Sequence, residues 1–193
     1  MPRVKLFDEQ EVLKKAMHLF WKKGYYATSV QDLVDESGIN RASLYDTFGG
    51  KKELFTKAFT NYREVNTAAT KKFLFAHENV REGFGKLFAR ALRDSETDTD
   101  RKGCFTVNTT VEFMPNEQEF AELLQESKTG FEKIFTDYLQ YGVRQGQIAS
   151  DKNLRAAATL FFTFFNGLKV VTKTDFDPDL YLQSVDALLS VLD

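Results

Sequence analysis

Cys104 is the single cysteine of the chain, and its neighbours could make its thiol reactive. It follows Arg101, Lys102 and Gly103, and the residues after it predict the start of a helix. Nearby cations and the positive end of a helix dipole both favour the thiolate, which is the form that attacks oxidants and electrophiles. A free cysteine also commonly packs as a small hydrophobic residue with no chemical role. Cys104 is therefore a candidate sensing thiol, with simple packing as the alternative.

A second group of side chains suits contact with nucleic acid. Arg41 could pair with a guanine edge or with a phosphate, and Ser43 and Thr47 could reach either. The ring of Tyr45 can pack while its hydroxyl donates to a phosphate. Two lysines follow at the predicted start of the next helix, where free backbone N–H groups also attract a phosphate. The candidate DNA-binding residues are Thr28, Ser29, Arg41, Ala42, Ser43, Tyr45, Asp46, Thr47, Lys51 and Lys52.

Two short amphipathic helices are predicted to position these side chains. Apolar residues at positions 30, 33 and 34 have the spacing of one helix face, and Leu44 and Phe48 belong to a second, shorter face. Between them, Gly38 can adopt the positive φ that ends the first helix, and Asn40 can cap the second. This is the arrangement of a helix-turn-helix, in which the second helix enters the DNA major groove.

A longer pattern runs across three predicted helices: Thr28-x-x-x-x-x-Val34, then Gly38-Ile39, then Leu44-Tyr45-x-x-Phe48-x-x-Lys51-x-x-Leu54. It resembles the DNA-binding signature of the TetR family of bacterial transcriptional regulators. The resemblance implies backbone-phosphate contacts for Tyr45 and Lys51, and Thr47 stands where many relatives carry His. Asp46 departs from the family, which often has an aromatic residue there, and so does the pair at 49–50, both glycine. Asp46 could accept from a cytosine amino group, or it could discriminate against wrong sites by repelling phosphate.

The rest of the chain is also predicted to be helical. Asp8 with Glu11, and Ser29 with Asp32, have the spacing of capping boxes that open the first two helices. An apolar pattern without Gly or Pro predicts one long helix over 51–76, which in the family joins the DNA-binding domain to the body. Further helices are predicted over 80–92, 104–113, 117–142, 154–171 (capped by Asp151) and 180–192 (opened by Asp177-Pro178), with an exposed loop over 94–102.

The predicted fold is all-α, with about nine helices in two domains. Residues 1–50 would form the helix-turn-helix DNA-binding domain, and residues 51–193 a larger ligand-binding and dimerisation domain. The helix over 154–171 is apolar nearly all round, so it must be covered on more than one side. It could be the central helix of a monomer or pair with its twofold mate. The resemblance implies a homodimer, because the last two helices of TetR-family subunits form a four-helix interface.

The body of the chain holds many of the 19 phenylalanines, most of which are expected to be core. Some are expected to line a cavity for a small-molecule effector, since apolar pockets with a few polar groups are the usual ligand sites. The stretch Gly103-Cys104-Phe105-x-x-Asn108 also resembles a branch of the family, some of whose members sense electrophiles or oxidants through a cysteine. The candidate ligand-binding or sensing residues are Cys104, Phe84, Phe88, Phe105, Phe113, Phe131, Phe135 and Phe162, with Asn108 and Thr109 as polar handles.

Other classes of function are poorly supported. His18 and His77 have no carboxylate or cysteine at metal-ligand spacing, and there is no Gly-rich phosphate loop. A Cys104 nucleophile lacks an evident His or carboxylate partner. We therefore expect no metal, no cofactor and no enzymatic activity. With no signal-peptide pattern and no apolar run judged long enough to span a bilayer, we also expect a cytoplasmic protein without a membrane partner.

The net charge of −2 is unevenly divided along the chain. Residues 1–63 hold 11 Lys and Arg against 8 Asp and Glu, whereas residues 64–193 have an acidic excess. The basic excess includes Arg3 and Lys5 in a short N-terminal arm, and DNA binding would depend on where the cations are placed.

The function predicted from the sequence is a homodimeric TetR-type regulator, a repressor that binds a palindromic operator and is released by a small molecule or reactive species. The alternative is a helical ligand-binding protein whose helix-turn-helix does not bind DNA.

Overall fold

Helices account for nearly all of the chain described by the computed structural model, which covers residues 7–114 and 117–193. Arg3 and Lys5 of the predicted basic arm lie outside these residues. The described residues contain no strand, which confirms the all-α prediction. The helices are α1 (Glu9–Lys23), α2 (Val30–Ser37), α3 (Arg41–Phe48), α4 (Lys51–Phe75), α5 (Val80–Thr97), α6 (Phe105–Phe113), α7 (Ala121–Arg144), α8 (Leu154–Val171) and α9 (Pro178–Leu189), with 3-10 turns at Gln118–Phe120 and Ser190–Leu192.

Local capping explains the boundaries of α2 and α3. Ser29 and Asp32 form the predicted capping box: the backbone N–H of Ser29 donates to the Asp32 carboxylate at 2.8 Å, and that of Asp32 donates to the Ser29 hydroxyl at 3.0 Å. Gly38 ends α2 with a φ of 74°, a conformation that costs little only for glycine. The Asn40 side chain then accepts from the backbone N–H of Ser43 at 2.8 Å and opens α3. The sequence of this segment thus determines the turn between the two helices.

Three local predictions differ from the structure. Asp8 caps α1 by accepting from Gln10, so the predicted box with Glu11 is replaced by a single cap. Asn153, not Asp151, caps α8, because it directly precedes the helix and its side chain reaches the N–H of Ala156 at 3.0 Å. Helix α5 continues through residue 97, so the exposed loop begins later than predicted.

The first hydrophobic core joins the helix-turn-helix to residues from far along the chain. The ring of Phe55 on α4 lies at its centre, 5.0 Å from Phe20 of α1 by ring centroids. Phe55 also contacts Phe105 and Phe113 at the two ends of α6, at 5.8 Å and 5.2 Å. The helix-turn-helix therefore rests on α6 as well as on α4.

The second core is formed by α5, α7, α8 and α9. Phe84 of α5 packs edge-on against Phe161 of α8, with ring centroids 4.7 Å apart. Tyr138 of α7 is fully buried and donates its hydroxyl to the carbonyl of His77 at 2.8 Å. Burial raises the pKa of Tyr138 to about 12, so its hydroxyl keeps the proton that this bond requires. These contacts hold the larger helices around the end of α4.

Helix α8 is the most apolar element that the structure describes. By length and composition alone it could cross a membrane, so the expectation that no apolar run is long enough was wrong. Core helices of soluble proteins pass the same test, which makes a single such helix weak evidence for a membrane span. One side of α8, including Phe161 and Leu168, packs in the second core, whereas Leu160 and Val170 on other sides are exposed. A surface of α8 is thus left uncovered within one chain.

Candidate DNA-binding surface and effector cavity

Helix α3 has one buried and one exposed face, so it can be anchored and still present side chains to a partner. Leu44 is 0% exposed and Phe48 is 5% exposed, both within the first core. The opposite side carries the predicted DNA contacts, which are exposed or half-buried: Arg41, Ala42, Ser43, Tyr45, Asp46 and Thr47. A rigidly supported helix with a polar outer face is the geometry that recognition of the major groove requires.

Lys51 and Lys52 begin α4, directly after the end of α3. No side chain caps this end of α4, which leaves backbone N–H groups available to an anion. The Lys51 ammonium lies 4.3 Å from the centroid of the Tyr25 ring, and desolvation by burial lowers the pKa of Lys51. A hydrogen bond from Lys52 to Glu119 raises the pKa of Lys52. A phosphate would have to displace Glu119 from Lys52, whereas Lys51 forms no salt bridge among the described residues.

Two predicted DNA contacts lie in supporting positions. Thr28 is 0% exposed and donates its hydroxyl to the carbonyl of Gly24 at 2.6 Å. A direct contact from its side chain is ruled out by this burial, because the hydroxyl already closes the turn between α1 and α2. Ser29 is exposed, but its hydroxyl belongs to the capping box with Asp32. Both residues therefore fix the start of α2.

A cavity of about 1350 Å³ is lined by residues of α1, α4, α5, α6, α7 and α8. Its wall includes apolar side chains such as Leu87, Phe131 and Phe165, and its rim includes the exposed residues Glu122 and Lys128. The volume lies above the range of about 300–1,000 Å³ that is usual for small-molecule sites. The chain can therefore accommodate a sizeable ligand between its helices.

Three of the ten predicted ligand residues, Cys104, Phe131 and Phe162, line this cavity. The other seven do not, and the aromatic residues among them pack into the cores instead. Phe84, Phe88 and Phe135 are fully buried in the second core, and Phe105 and Phe113 are buried in the first. The remaining two are the buried Thr109 and Asn108, whose side chain donates to the carbonyl of Lys102 and accepts from Lys173. Helical periodicity had identified apolar faces without identifying what each face contacts.

Cys104 occupies the N-cap position of α6, at the wall of the cavity. Its Sγ atom is 3.9 Å from the hydroxyl oxygen of Tyr62. The pKa of Tyr62 is raised, mainly by burial and secondly by its interaction with Cys104. The two cations predicted to favour the thiolate are engaged elsewhere, because Arg101 pairs with Asp175 and Lys102 with Asp98.

Family models match both parts of the chain. One described as "Bacterial regulatory proteins, tetR family" matches residues 12–58, and one described as "Tetracyclin repressor-like, C-terminal domain" matches residues 84–188, more than half of the chain. The chain belongs to the TetR family. It is a DNA-binding transcriptional regulator and not an enzyme, as predicted.

Two curated relatives are similar over most of their length. The chain is 35% identical over 197 residues to the uncharacterized HTH-type transcriptional regulator YezE of Bacillus subtilis (strain 168), with 100% of both chains covered. It is 29% identical over 170 residues to the HTH-type transcriptional repressor ComR of Escherichia coli (strain K12), covering 87% of this chain and 80% of ComR.

Solved TetR-family structures share the fold. A cysteine mutant of the regulator CifR, complexed with 26-base-pair operator DNA, superimposes with a TM-score of 0.88 at 25% identity, covering 99% of this chain and 100% of CifR. A TetR-family regulator from Cytophaga hutchinsonii has a TM-score of 0.81 at 18% identity, covering 98% of each chain.

Within this TetR-family fold, several cavity residues were missed by the sequence analysis. Trp21, Tyr62, Ser127 and Lys169 all line the cavity. For Lys169 a signal was present, because a lysine near the end of the strongly apolar α8 has to be accommodated somewhere. The other three carry no sequence pattern that separates a cavity wall from a core.

Helix α6 connects the cavity directly to the DNA-binding domain. Cys104, at the start of α6, and Thr110 on α6 both line the cavity, and Glu112 lies near the C-terminal end of the helix. The Glu112 carboxylate accepts from the backbone N–H groups of Tyr25 and Tyr26 at 3.0 Å and 2.8 Å. These two residues belong to the turn between α1 and α2. A shift of α6 would therefore move or release the turn that precedes the helix-turn-helix.

The turn between α1 and α2 leaves little space for a larger side chain. Gly24 has a φ of 86°, and a Cβ atom built there would lie 2.9 Å from the Glu112 carboxylate. The hydroxyl of Tyr26 donates to Glu117 at 2.6 Å, and this bond raises the pKa of Tyr26 to about 12.

Among the described residues, no group of three or more His, Cys, Asp or Glu side chains could hold a metal ion.

Proposed function

We propose that the chain is a repressor that binds a palindromic operator as a homodimer and is released when its cavity is occupied or its thiol is modified. The observation that carries this proposal is the exposed polar face of α3, anchored from behind by Leu44 and Phe48. The names of ComR, a repressor, and of CifR with operator DNA support the same function for this chain. Like DNA-binding regulators of its family in general, it would act in the cytoplasm.

On DNA, α3 would lie in the major groove and α4 would meet the backbone. Arg41, in the first turn of α3, would pair with a guanine edge or a phosphate, and Ser43 and Thr47 would reach neighbouring groups. Tyr45 and Lys51 would hold phosphates, the latter together with the uncapped N–H groups at the start of α4. Base contacts would then come from α3 and positioning contacts from the residues around it.

Dimerisation through α8 and α9 would cover the apolar surface that one chain leaves exposed. Leu160 and Leu180 are 44% and 57% exposed, and the same two helices carry other exposed apolar residues, Val170, Val171 and Leu182. Contiguous apolar surface on a soluble protein marks an interaction site. A twofold pair of α8 and α9 would bury this surface and place two α3 helices on two half-sites. Light scattering should give twice the chain mass, and Leu160→Glu should give one chain mass.

Release from DNA would pass along α6. A ligand in the cavity, or an adduct on Cys104, would favour a position of α6 in which Glu112 no longer holds the turn before α2. The two α3 helices would then be spaced wrongly for their half-sites. The affinity for DNA would fall by at most the factor by which the ligand binds the released conformation more tightly than the DNA-bound one.

Cys104 would supply the response to reactive species. The thiolate sulfur would form a bond to the β-carbon of an unsaturated carbonyl compound, and the α-carbon would take the proton that the thiol lost. Among the charged side chains around the thiol, the cation of Lys169 interacts with it electrostatically.

The first test is a mobility shift with DNA that flanks the coding region of the protein, with and without N-ethylmaleimide. Specific binding that weakens as salt rises supports the repressor function, because phosphate contacts release counterions. Loss of binding on treatment of the wild type but not of Cys104→Ser supports the sensing thiol. Equal release of both proteins would remove Cys104 from the mechanism, and absence of any specific binding would reject the proposed operator.

A further inference from the structure

The cavity wall contains one ammonium group, that of Lys169, that has no direct ion-pair partner in the described part of the chain. Lys169 is half-buried on α8, and its side chain forms neither a hydrogen bond nor a salt bridge there. Its ammonium lies 5.7 Å from the centroid of the Phe165 ring, one helical turn earlier. Desolvation by burial lowers the pKa of Lys169, which means that the charged form is held at a cost.

Asp94 and Asp98 attract the Lys169 ammonium electrostatically, but each also lies beside another cation. Asp98 pairs with Lys102 at 2.9 Å, and Asp94 lies 3.9 Å from the guanidinium of Arg90. Glu126, farther along the wall, pairs with Arg63 at 3.3 Å. A cationic ligand would have to break these pairs, whereas an anionic ligand would supply the charge that Lys169 lacks.

A second observation also indicates a ligand with polar groups. Ser127 lines the cavity and is only 3% exposed to solvent, and its hydroxyl has no hydrogen-bond partner in the described structure. A helical serine usually donates to the carbonyl four residues earlier, but the carbonyl of Leu123 accepts from Arg63 at 2.6 Å instead. The indole N–H of Trp21 in the same wall is likewise unpartnered. Buried polar groups without partners are rare in folded proteins.

The apolar part of the wall adjoins the cation. Phe131 lies 6.4 Å from both Phe162 and Phe165 by ring centroids, and Phe165 precedes Lys169 by one turn of α8. Cation and rings thus form one continuous surface. The single half-buried ammonium matches one negative charge. A dianion such as a phosphate monoester would bring a second charge, and Arg90 and Lys102, which also line the cavity, already lie beside Asp94 and Asp98.

We propose that the cavity binds a monoanionic amphipathic molecule, an aromatic or aliphatic carboxylic acid, whose acid group pairs with Lys169 and whose apolar body lies against Phe131, Phe162 and Phe165. This inference rests on the proposed effector cavity and names the chemical class of the effector.

The test compares two probes of one shape and different charge, 2-naphthoate and 2-naphthamide, by calorimetric titration of the full-length protein. The wild type should bind the acid about tenfold or more tightly than the amide, as expected for one buried charge-assisted contact. Lys169→Met keeps an unbranched side chain against Phe165 and should abolish this preference. Lys169→Arg should retain it, and so should Lys128→Met, which removes an exposed rim lysine of the same cavity.

The outcomes separate this inference from the repressor proposal. Equal affinity for the two probes, no binding of either, or a preference that survives in both Lys169→Met and Lys169→Gln would overturn the monoanion. Naphthyl phosphate binding more tightly than 2-naphthoate would overturn it too. Operator binding without any probe is measured on the same samples, and its loss would reject the repressor proposal instead. Thermal unfolding of each variant confirms that a lost preference is not a lost fold.

Discussion

The outer face of α3 and the wall of the cavity use side chains in opposite ways. On α3, polar side chains point to solvent from a helix whose other face is fully packed, with Leu44 at 0% exposure. In the cavity wall, the hydroxyl of Ser127 is buried without a hydrogen-bond partner in the described chain, and the half-buried Lys169 forms no salt bridge there. The first surface presents its polar groups without cost to folding, whereas the second holds unpaired groups that a ligand could satisfy.

The exposed face of α3 and the cavity wall should tolerate substitutions differently. Residues on the exposed face of α3 can vary with little loss of stability, because the packing that supports α3 is on its other face. Residues in the cavity wall affect stability and ligand binding together, since a buried unpaired group destabilises the ligand-free protein. The two regions are joined by α6, which reaches from Cys104 in the cavity to Glu112 at the turn before α2.

The largest expected effect is on the packed face of α3. Leu44→Ala should lower the free energy of unfolding by about 2–5 kcal/mol, because it leaves a cavity in the first core. Urea unfolding followed by circular dichroism, at one protein concentration, measures this loss. Leu44→Met is the matched control, with a cost below about 1.5 kcal/mol. Unfolding of Leu44→Ala at the wild-type midpoint would show that α3 is held by something other than this contact.

On the exposed face the same experiment should separate stability from DNA binding. Arg41→Ala should weaken operator binding by about 1–3 kcal/mol, while the free energy of unfolding changes by less than about 0.5 kcal/mol. Arg41→Lys distinguishes the two contacts left open for this residue, because lysine can replace a phosphate contact better than a bidentate contact to guanine. A mobility shift at fixed salt gives the affinities. Undiminished binding by Arg41→Ala would remove Arg41 from the interface.

The link between the two regions can be weakened without touching either. Glu112→Gln replaces one of the two accepting carboxylate oxygens with an NH2 group, so that one of the N–H groups of Tyr25 and Tyr26 loses its acceptor, and it should cost about 1 kcal/mol at that turn. Hydrogen exchange of these two amides should then be about fivefold faster. Glu117→Gln, which affects the hydroxyl of Tyr26 and no amide of the turn, is the control. Unchanged exchange in Glu112→Gln would mean that α6 does not hold the turn.

Most of the fold could be predicted because its signals are local. The capping box of Ser29 with Asp32, the positive φ of Gly38 and the cap at Asn40 each depend on a few adjacent residues. The exposed side of α3 followed from the spacing of two apolar residues. The burial of Thr28 was not predicted, because it depends on how α1 and α2 meet, which is a tertiary property.

The cavity was harder to predict for a physical reason. Phe131 and Phe135 lie on one face of α7 at helical spacing, yet one lines the cavity and the other is in the core. Periodicity reports that a face is apolar, and it does not report whether that face meets another helix or a ligand. A charged residue inside an apolar helix is a better signal, and Lys169 is the example in this chain.

The smallest expected effects come from one substitution made at two buried serines, one on α2 and one in the cavity wall. Ser37 on α2 is buried and donates its hydroxyl to the carbonyl of Leu33, whereas Ser127 in the cavity wall has no partner. Replacement by alanine removes a buried hydroxyl in each case, at the last residue of α2 and within α7. Ser127→Ala should raise the free energy of unfolding by about 1 kcal/mol, because it deletes an unsatisfied buried group.

Ser37→Ala should lower the free energy of unfolding by about 1 kcal/mol, because it deletes a satisfied hydrogen bond. Thermal unfolding of both variants beside the wild type, at equal protein concentration, reads out the two signs. Destabilisation by Ser127→Ala would mean that its hydroxyl finds a partner in solution, and the cavity wall would then be as well satisfied as the core behind α3. Opposite signs would show that the chain gives up stability at the cavity wall, where a ligand can return it, and gives up none at the buried serine of α2.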